Sequence, residues 1–118
     1  MTVEPIKLTV DTVALAAQEG QLEIVLIRRK HDPFKTMWAL PGGFLHEHDD
    51  SVEQAAARVL LEETNVGDVY LEQLYTFGDK HRDPRARVVT VSYLALLRQD
   101  DLKLIASSDS SGVAWWPV

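Results

Sequence analysis

Residues 42–66 read GGFLHEHDDSVEQAAARVLLEETNV, and the reading of this stretch decides the fold. Gly42 and Gly43 follow Pro41, a break that lets the backbone pass close to a neighbour where a side chain would obstruct it. Ser51 opens a helix: it forms a capping-box pair with Gln54, and Glu53 in the first turn suits the helix dipole. The run EQAAARVLLEET holds mostly strong helix formers, and Asn65 can take the left-handed turn that ends the helix. Positions i, i+3 and i+4 share a helix face, so Val59, Glu62 and Glu63 fall together, with Arg58 and Glu62 an i,i+4 pair. On helix pattern alone, Arg58, Glu62 and Glu63 read as a solvated face with an ordinary ion pair.

Working outward, residues 7–16 (KLTVDTVALA) are mostly apolar with a Thr/Asp interruption and predict a strand. The turn Gln18-Glu19-Gly20-Gln21 separates them from residues 22–29 (LEIVLIRR), a second strand placed as a hairpin would place it. Residues 30–36 are polar, contain Pro33 and predict a loop. Beyond the helix, residues 69–77 (VYLEQLYTF) and 87–97 (RVVTVSYLALL) read as long strands. The polar loop 78–86 (GDKHRDPRA) joins them, and residues 113–116 read as a last strand. Several strands with one well-defined helix imply an α+β domain rather than a regular βαβ array.

The 118 residues suit one domain, residues 1–118, large enough for a single buried core. No cysteine is present, which excludes a disulfide framework and a thiolate metal site. No apolar run approaches a membrane span, and MTVEPIKLTV lacks the basic and apolar regions of a secretory leader, so a cytoplasmic protein with no membrane partner is expected. The net charge of −6 opposes direct nucleic-acid binding by this domain. It remains compatible with a polyphosphate ligand bridged by divalent cations, and equally with a charge that only keeps a small protein soluble.

The stretch closely resembles the Nudix box, G-x5-E-x7-R-E-U-x-E-E-x-G-U with U aliphatic. Gly43, Arg58, Leu60, Glu62, Glu63 and Val66 match it. Asp50 stands for the first glutamate, in a loop one residue longer than the pattern, Val59 for the glutamate after the arginine, and Asn65 for the glycine. Outside the box, LTVDTVAL, LEIVLIRRKHDPFKTMWALPGGF and VYLEQLYTFGDKHRDPRARVVTVSYLAL are similar to one Nudix branch, from about residue 6 to residue 117. That branch holds ADP-ribose pyrophosphatases and Nudix-related transcriptional regulators of NAD metabolism. The resemblance implies a Nudix α/β/α sandwich with a mixed sheet. The family usually continues beyond the last strand into another helix, whereas this sequence stops at Trp115-Trp116-Pro117-Val118, so the chain is expected to be part of a longer protein or to be covered there by a partner.

The resemblance also implies chemistry. Nudix hydrolysis splits a nucleoside diphosphate linked to another moiety with water and divalent metal, Mg²⁺ or Mn²⁺. Glu62 and Glu63 would hold that metal, Arg58 would orient them by pairing with Asp50 or Glu62, and the three are the catalytic candidates. Val59 can neither coordinate nor accept a proton, which should weaken metal binding and slow chemistry. Glu47, Asp49 or Asp50 in the lengthened loop, or Asp79 or Asp83 beyond, are conceivable substitute ligands. His46 and His48 read as surface residues.

For a ligand such as ADP-ribose, Arg82, Arg85 and Arg87 suit bidentate phosphate contacts, Asp83 a ribose hydroxyl, Phe34 or Trp38 stacking on adenine, and Gly42 and Gly43 close backbone approach. Each has a plainer reading: Asp-Pro forms turns, the arginines pair with surplus acids, and Trp38 is core. The expectation is a domain that binds ADP-ribose or a related nucleoside diphosphate derivative with weak or no hydrolysis, as the sensor of a regulator, and dimerises by analogy. The alternative is an active Mg²⁺-dependent ADP-ribose pyrophosphatase giving AMP and ribose 5-phosphate. A scaffold docking a protein through Trp115 and Trp116 is a third reading.

Overall fold

A computed structural model describes residues 3–98, 100–101 and 112–118. Strands β1 (Lys7–Gln18), β2 (Gln21–Arg28), β3 (Trp38–Ala39) and β4 (Gly42–Phe44) precede the helix α1 (Val52–Thr64). Strands β5 (Glu72–Phe77), β6 (Val88–Leu96) and β7 (Val113–Pro117) follow it. The mixed sheet runs β3-β2-β1-β6-β5, with β4 paired to β1 and β7 to β2. Only β1 and β6 pair in parallel among the described strands.

The expected hairpin forms. Glu19 and Gly20 both have positive φ, 51° and 77°, the mirror-image turn whose twist matches the strands it joins. It sets Gln18 opposite Gln21 and Leu15 opposite Ile24, after which β1 and β2 part. The first half of β1 takes β4 instead, Asp11 opposite Gly42, and the far end of β2 takes β3, Ile27 opposite Ala39. The segment 38–44 is thus inserted where the two long strands diverge. That divergence opens the cleft that holds the candidate site.

Alternation along β1 buries Val10, Thr12, Ala14 and Ala16. Helix α1 lays Ala55, Ala56, Val59 and Leu60 on the same core, where the two alanines permit close approach to the sheet. Ser51 caps the helix by accepting from Gln54 N–H at 3.0 Å. Gln54 Oε1 reaches Asp50 N–H rather than Ser51, so the capping box is displaced by one residue on its return arm. Asn65 ends the helix in the left-handed conformation, its N–H on Leu61 C=O at 2.9 Å.

Two short strands, β3 and β4, were not anticipated, because two or three residues carry no alternation. Strand β5 begins at Glu72 rather than at residue 69, because its ladder with β6 begins at the pair Glu72 and Leu94. No helix among the described residues is long and apolar enough to cross a membrane.

Candidate functional site

Helix α1 is tied to the loop before it by one arginine. Arg58 Nε donates to Asp49 Oδ1 at 2.8 Å and Nη2 to Asp49 Oδ2 at 3.0 Å. Nη2 also reaches Phe44 C=O at 3.0 Å, and Nη1 lies 3.4 Å from Glu62. The partner in the loop is therefore Asp49, not Asp50, which stays exposed. Asp49 lies six residues after Gly43, in register with the box. The extra residue falls between Asp49 and Arg58, where it displaces the capping contact described above. The Arg58 guanidinium and the His46 N–H hold the Asp49 carboxyl at about 2, and Asp49 in turn raises Arg58.

Glu63 and Val59 meet the Gly-Gly turn. Glu63 Oε1 accepts Gly42 N–H at 2.8 Å, and burial pushes the Glu63 carboxyl up. Val59 is 4% exposed and belongs to the hydrophobic core. A Cβ built on Gly43 would stand 3.3 Å from Val59 Cγ2, so the valine fills the floor beneath the turn. Glu62 points outward, its side chain 59% exposed.

Above this floor lies a cleft of about 810 Å³. Glu62 and Glu63 form part of its wall with Gly42 and Gly43, and Phe34 lies at its rim, 57% exposed. The loop between β5 and β6 adds Arg82, Asp83 and Arg85 to the lining. Asp83 grips Arg85 through Nε at 3.0 Å and Nη2 at 2.7 Å, which holds the Asp83 carboxyl at about 2. The Arg85 guanidinium also lies 4.9 Å from the centre of the Phe44 ring, a cation–π contact.

Two expected residues fall elsewhere. Trp38 and Arg87 are not among the cleft-lining residues, and Trp38 instead meets Trp116 edge to face at 5.6 Å. Three cations at the end of β2, Arg28, Arg29 and Lys30, line the cleft and went unremarked in the sequence, although they are consecutive. Asp11 lines it as well; its signal was the charge interrupting an apolar strand.

Among the described residues, no three His, Cys, Asp or Glu side chains cluster as a metal site. Glu62 leans on Arg58, and one Glu63 oxygen is committed to Gly42 N–H. Glu47, Asp50 and Asp79 do not line the cleft, Asp49 is engaged by Arg58, and Asp83 by Arg85. The side chains present do not by themselves make a resident divalent-cation centre. What they do make is a cleft lined by both cations and carboxylates, suited to an anion that also carries hydrogen-bond donors.

The NUDIX domain profile matches residues 5–118. The ADPR responsive transcriptional repressor NtrR of Acinetobacter baylyi is 46% identical over 91 residues, covering 76% of this chain and 36% of that protein. An ADP-ribose pyrophosphatase of Methanocaldococcus jannaschii is 37% identical over 85 residues, covering 72% of this chain and 50% of that one. The chain thus spans half or less of the length of these curated relatives. The NUDIX domain of Shewanella oneidensis NrtR complexed with ADP ribose superposes with a TM-score of 0.83 at 41% identity, covering 98% of this chain and 75% of that one. Profile, relatives and the helix-and-turn geometry of Arg58, Glu62, Glu63 and Gly42 agree: the chain belongs to the NUDIX domain family.

Proposed function

We propose that this domain binds ADP-ribose, or a closely related nucleoside diphosphate derivative, and hydrolyses it weakly or not at all, as the metabolite-sensing part of a regulator. The observation that carries the reading is Val59. It occupies the box position of a glutamate, is buried against Gly43, and leaves Glu62 and Glu63 without a carboxylate one turn before them on the same helix face. Ligand phosphates would meet Arg28, Arg29 and Lys30 from one edge of the cleft and Arg82 and Arg85 from the other. Guanidinium pairs suit diphosphate oxygens, so charge is met by side chains rather than through a bridging cation. The likeness to a repressor described as ADPR-responsive, and to a NUDIX domain solved with ADP ribose, supports the ligand class.

A second reading, a divalent-metal-dependent ADP-ribose pyrophosphatase, has one specific support: Glu62 and Glu63 both line the cleft. Mg²⁺ commonly takes one or two protein carboxylates and completes its shell with phosphate oxygens and water. Calorimetric titration of ADP-ribose with and without Mg²⁺, with chromatography of the same mixtures, separates the two. Binding with the ligand recovered intact supports the sensor. Release of AMP at ordinary enzymatic rates overturns it.

A further inference from the structure

Asp11 stands in the middle of β1, with Gly42 of β4 opposite it on one side and Ser92 of β6 on the other. A carboxylate in such a place is costly unless hydrogen-bonded. Two hydroxyls supply the bonds: Thr90 Oγ1 donates to Oδ2 at 3.1 Å, and Ser92 Oγ to Oδ1 at 2.5 Å. No cation forms an ion pair with Asp11 among the described residues. An ionised carboxylate offers about four acceptor sites, and the two hydroxyls take one on each oxygen. Asp11 lines the cleft, and the acceptor capacity left over is available there.

Asp11 adds to the carboxylates Asp32, Glu62, Glu63 and Asp83 that line the cleft beside its arginines and Lys30. Asp11 would repel phosphate, so the group it receives must be a hydrogen-bond donor. An amine would serve that chemistry too, but it would also be repelled by the arginines at the cleft edges. An uncharged hydroxyl meets both conditions. Gly42 lets β4 lie close against β1 at this point: a Cβ there would fall 3.2 Å from Asp11 Cβ.

We infer that Asp11 is a specificity-determining residue, accepting hydrogen bonds from a sugar hydroxyl of the bound ligand while the flanking cations take its phosphates. The inference rests on the nucleoside-diphosphate reading above and adds the residue that distinguishes a sugar-bearing ligand from a bare polyphosphate.

The test is Asp11→Asn, titrated with ADP-ribose by calorimetry and with inorganic pyrophosphate by amide chemical-shift changes. Asparagine keeps the size: one of the Ser92 and Thr90 hydroxyls can turn to accept from its NH2 while the other still donates to its oxygen. The expected result differs between the two probes. ADP-ribose weakens roughly tenfold or more, as for a lost hydrogen bond to a charged group, while pyrophosphate binds as well or better because a like charge is gone. Unchanged or tighter ADP-ribose binding overturns the inference and leaves Asp11 a mere repulsive charge. Equal weakening of both probes also overturns it, by showing general damage to the cleft. A native chain that binds no ADP-ribose fails at the earlier step and sinks the ligand reading itself.

Discussion

Arg58 holds Asp49 in a two-pronged bridge, Nε to Oδ1 at 2.8 Å and Nη2 to Oδ2 at 3.0 Å, and so fixes the loop against the helix that follows it. The Asp49 side chain is 1% exposed, and its carboxyl sits at about 2, below the ordinary unfolded value of about 3.9. A carboxyl depressed on folding stabilises the native state above its unfolded pKa and loses that contribution as pH falls through the folded one. Native stability should therefore fall between about pH 4 and pH 2. Asp49→Asn should be less stable at pH 6 and show a shallower acid loss, read by urea unfolding across that range. Some slope remains, since Asp83 is held at about 2 by Arg85. An acid slope identical to the native one would remove Asp49 from the account.

Glu63 predicts the reverse. Burial raises its carboxyl, with the Gly42 N–H opposing and Glu62 adding repulsion. A carboxyl raised on folding stabilises fully below its unfolded pKa, and that contribution is lost as pH rises through the folded one. Glu63→Gln retains an oxygen for Gly42 N–H and drops the charge. The variant should melt at a higher temperature than the native chain at pH 8 and at the same temperature near pH 4. A lower melting temperature at pH 8 would mean that the ionised form is needed to hold the turn.

How far the sequence carried is visible in these two residues. The Gly-Gly turn, the Ser51 cap, the Asn65 stop and the helix were legible because each depends on local chemistry within four residues. The i,i+4 pair of Arg58 with Glu62 was legible too, but its loop partner was not: Asp49 and Asp50 are adjacent carboxylates, and only the path of the loop selects one. Strands β3 and β4 were missed because their form is imposed by β2 and β1, not by their own pattern. Trp38 is the converse case. Its chemistry suited stacking on a base, but its place in β3 gives it Trp116 as a neighbour. Arg28, Arg29 and Lys30 were plain in the sequence, yet nothing local says that the end of β2 faces the loop holding Arg82 and Arg85.

The two glycines of the turn should differ sharply. A Cβ on Gly42 would lie 2.9 Å from the Val10 carbonyl oxygen, a backbone atom that cannot give way without moving β1. Gly42→Ala should cost about 2 kcal/mol or more by shifting a packed strand. A Cβ on Gly43 meets only Val59 methyls, at 3.3 and 3.8 Å. Gly43→Ala should cost about 1 kcal/mol, and less still in a Val59→Ala background, because contacting sites couple. Denaturant unfolding of the native chain, Gly43→Ala, Val59→Ala and the double variant gives the coupling directly. Additive effects of Gly43→Ala and Val59→Ala would show that the contact is slack.

Val59→Glu carries the most weight for function. The side chain it replaces is 4% exposed and packed under the turn, so a longer, charged group must push toward the cleft or remain buried and unpaired. With a chelator present, the variant should lose about 2–4 kcal/mol, as expected for an uncompensated buried charge. If the new carboxylate reaches the cleft beside Glu62 and Glu63, Mg²⁺ should return part of that loss, since a cation bound only by the folded state stabilises it by mass action. Val59→Gln has the same bulk without the charge and should be destabilised with little response to Mg²⁺. AMP release from ADP-ribose should then rise in Val59→Glu alone. A thermal shift with Mg²⁺ no larger than that of Val59→Gln would place the new carboxylate away from Glu62 and Glu63. Val59 would then no longer support the proposal of weak hydrolysis, which would have to rest on the lengthened Asp49–Arg58 segment instead.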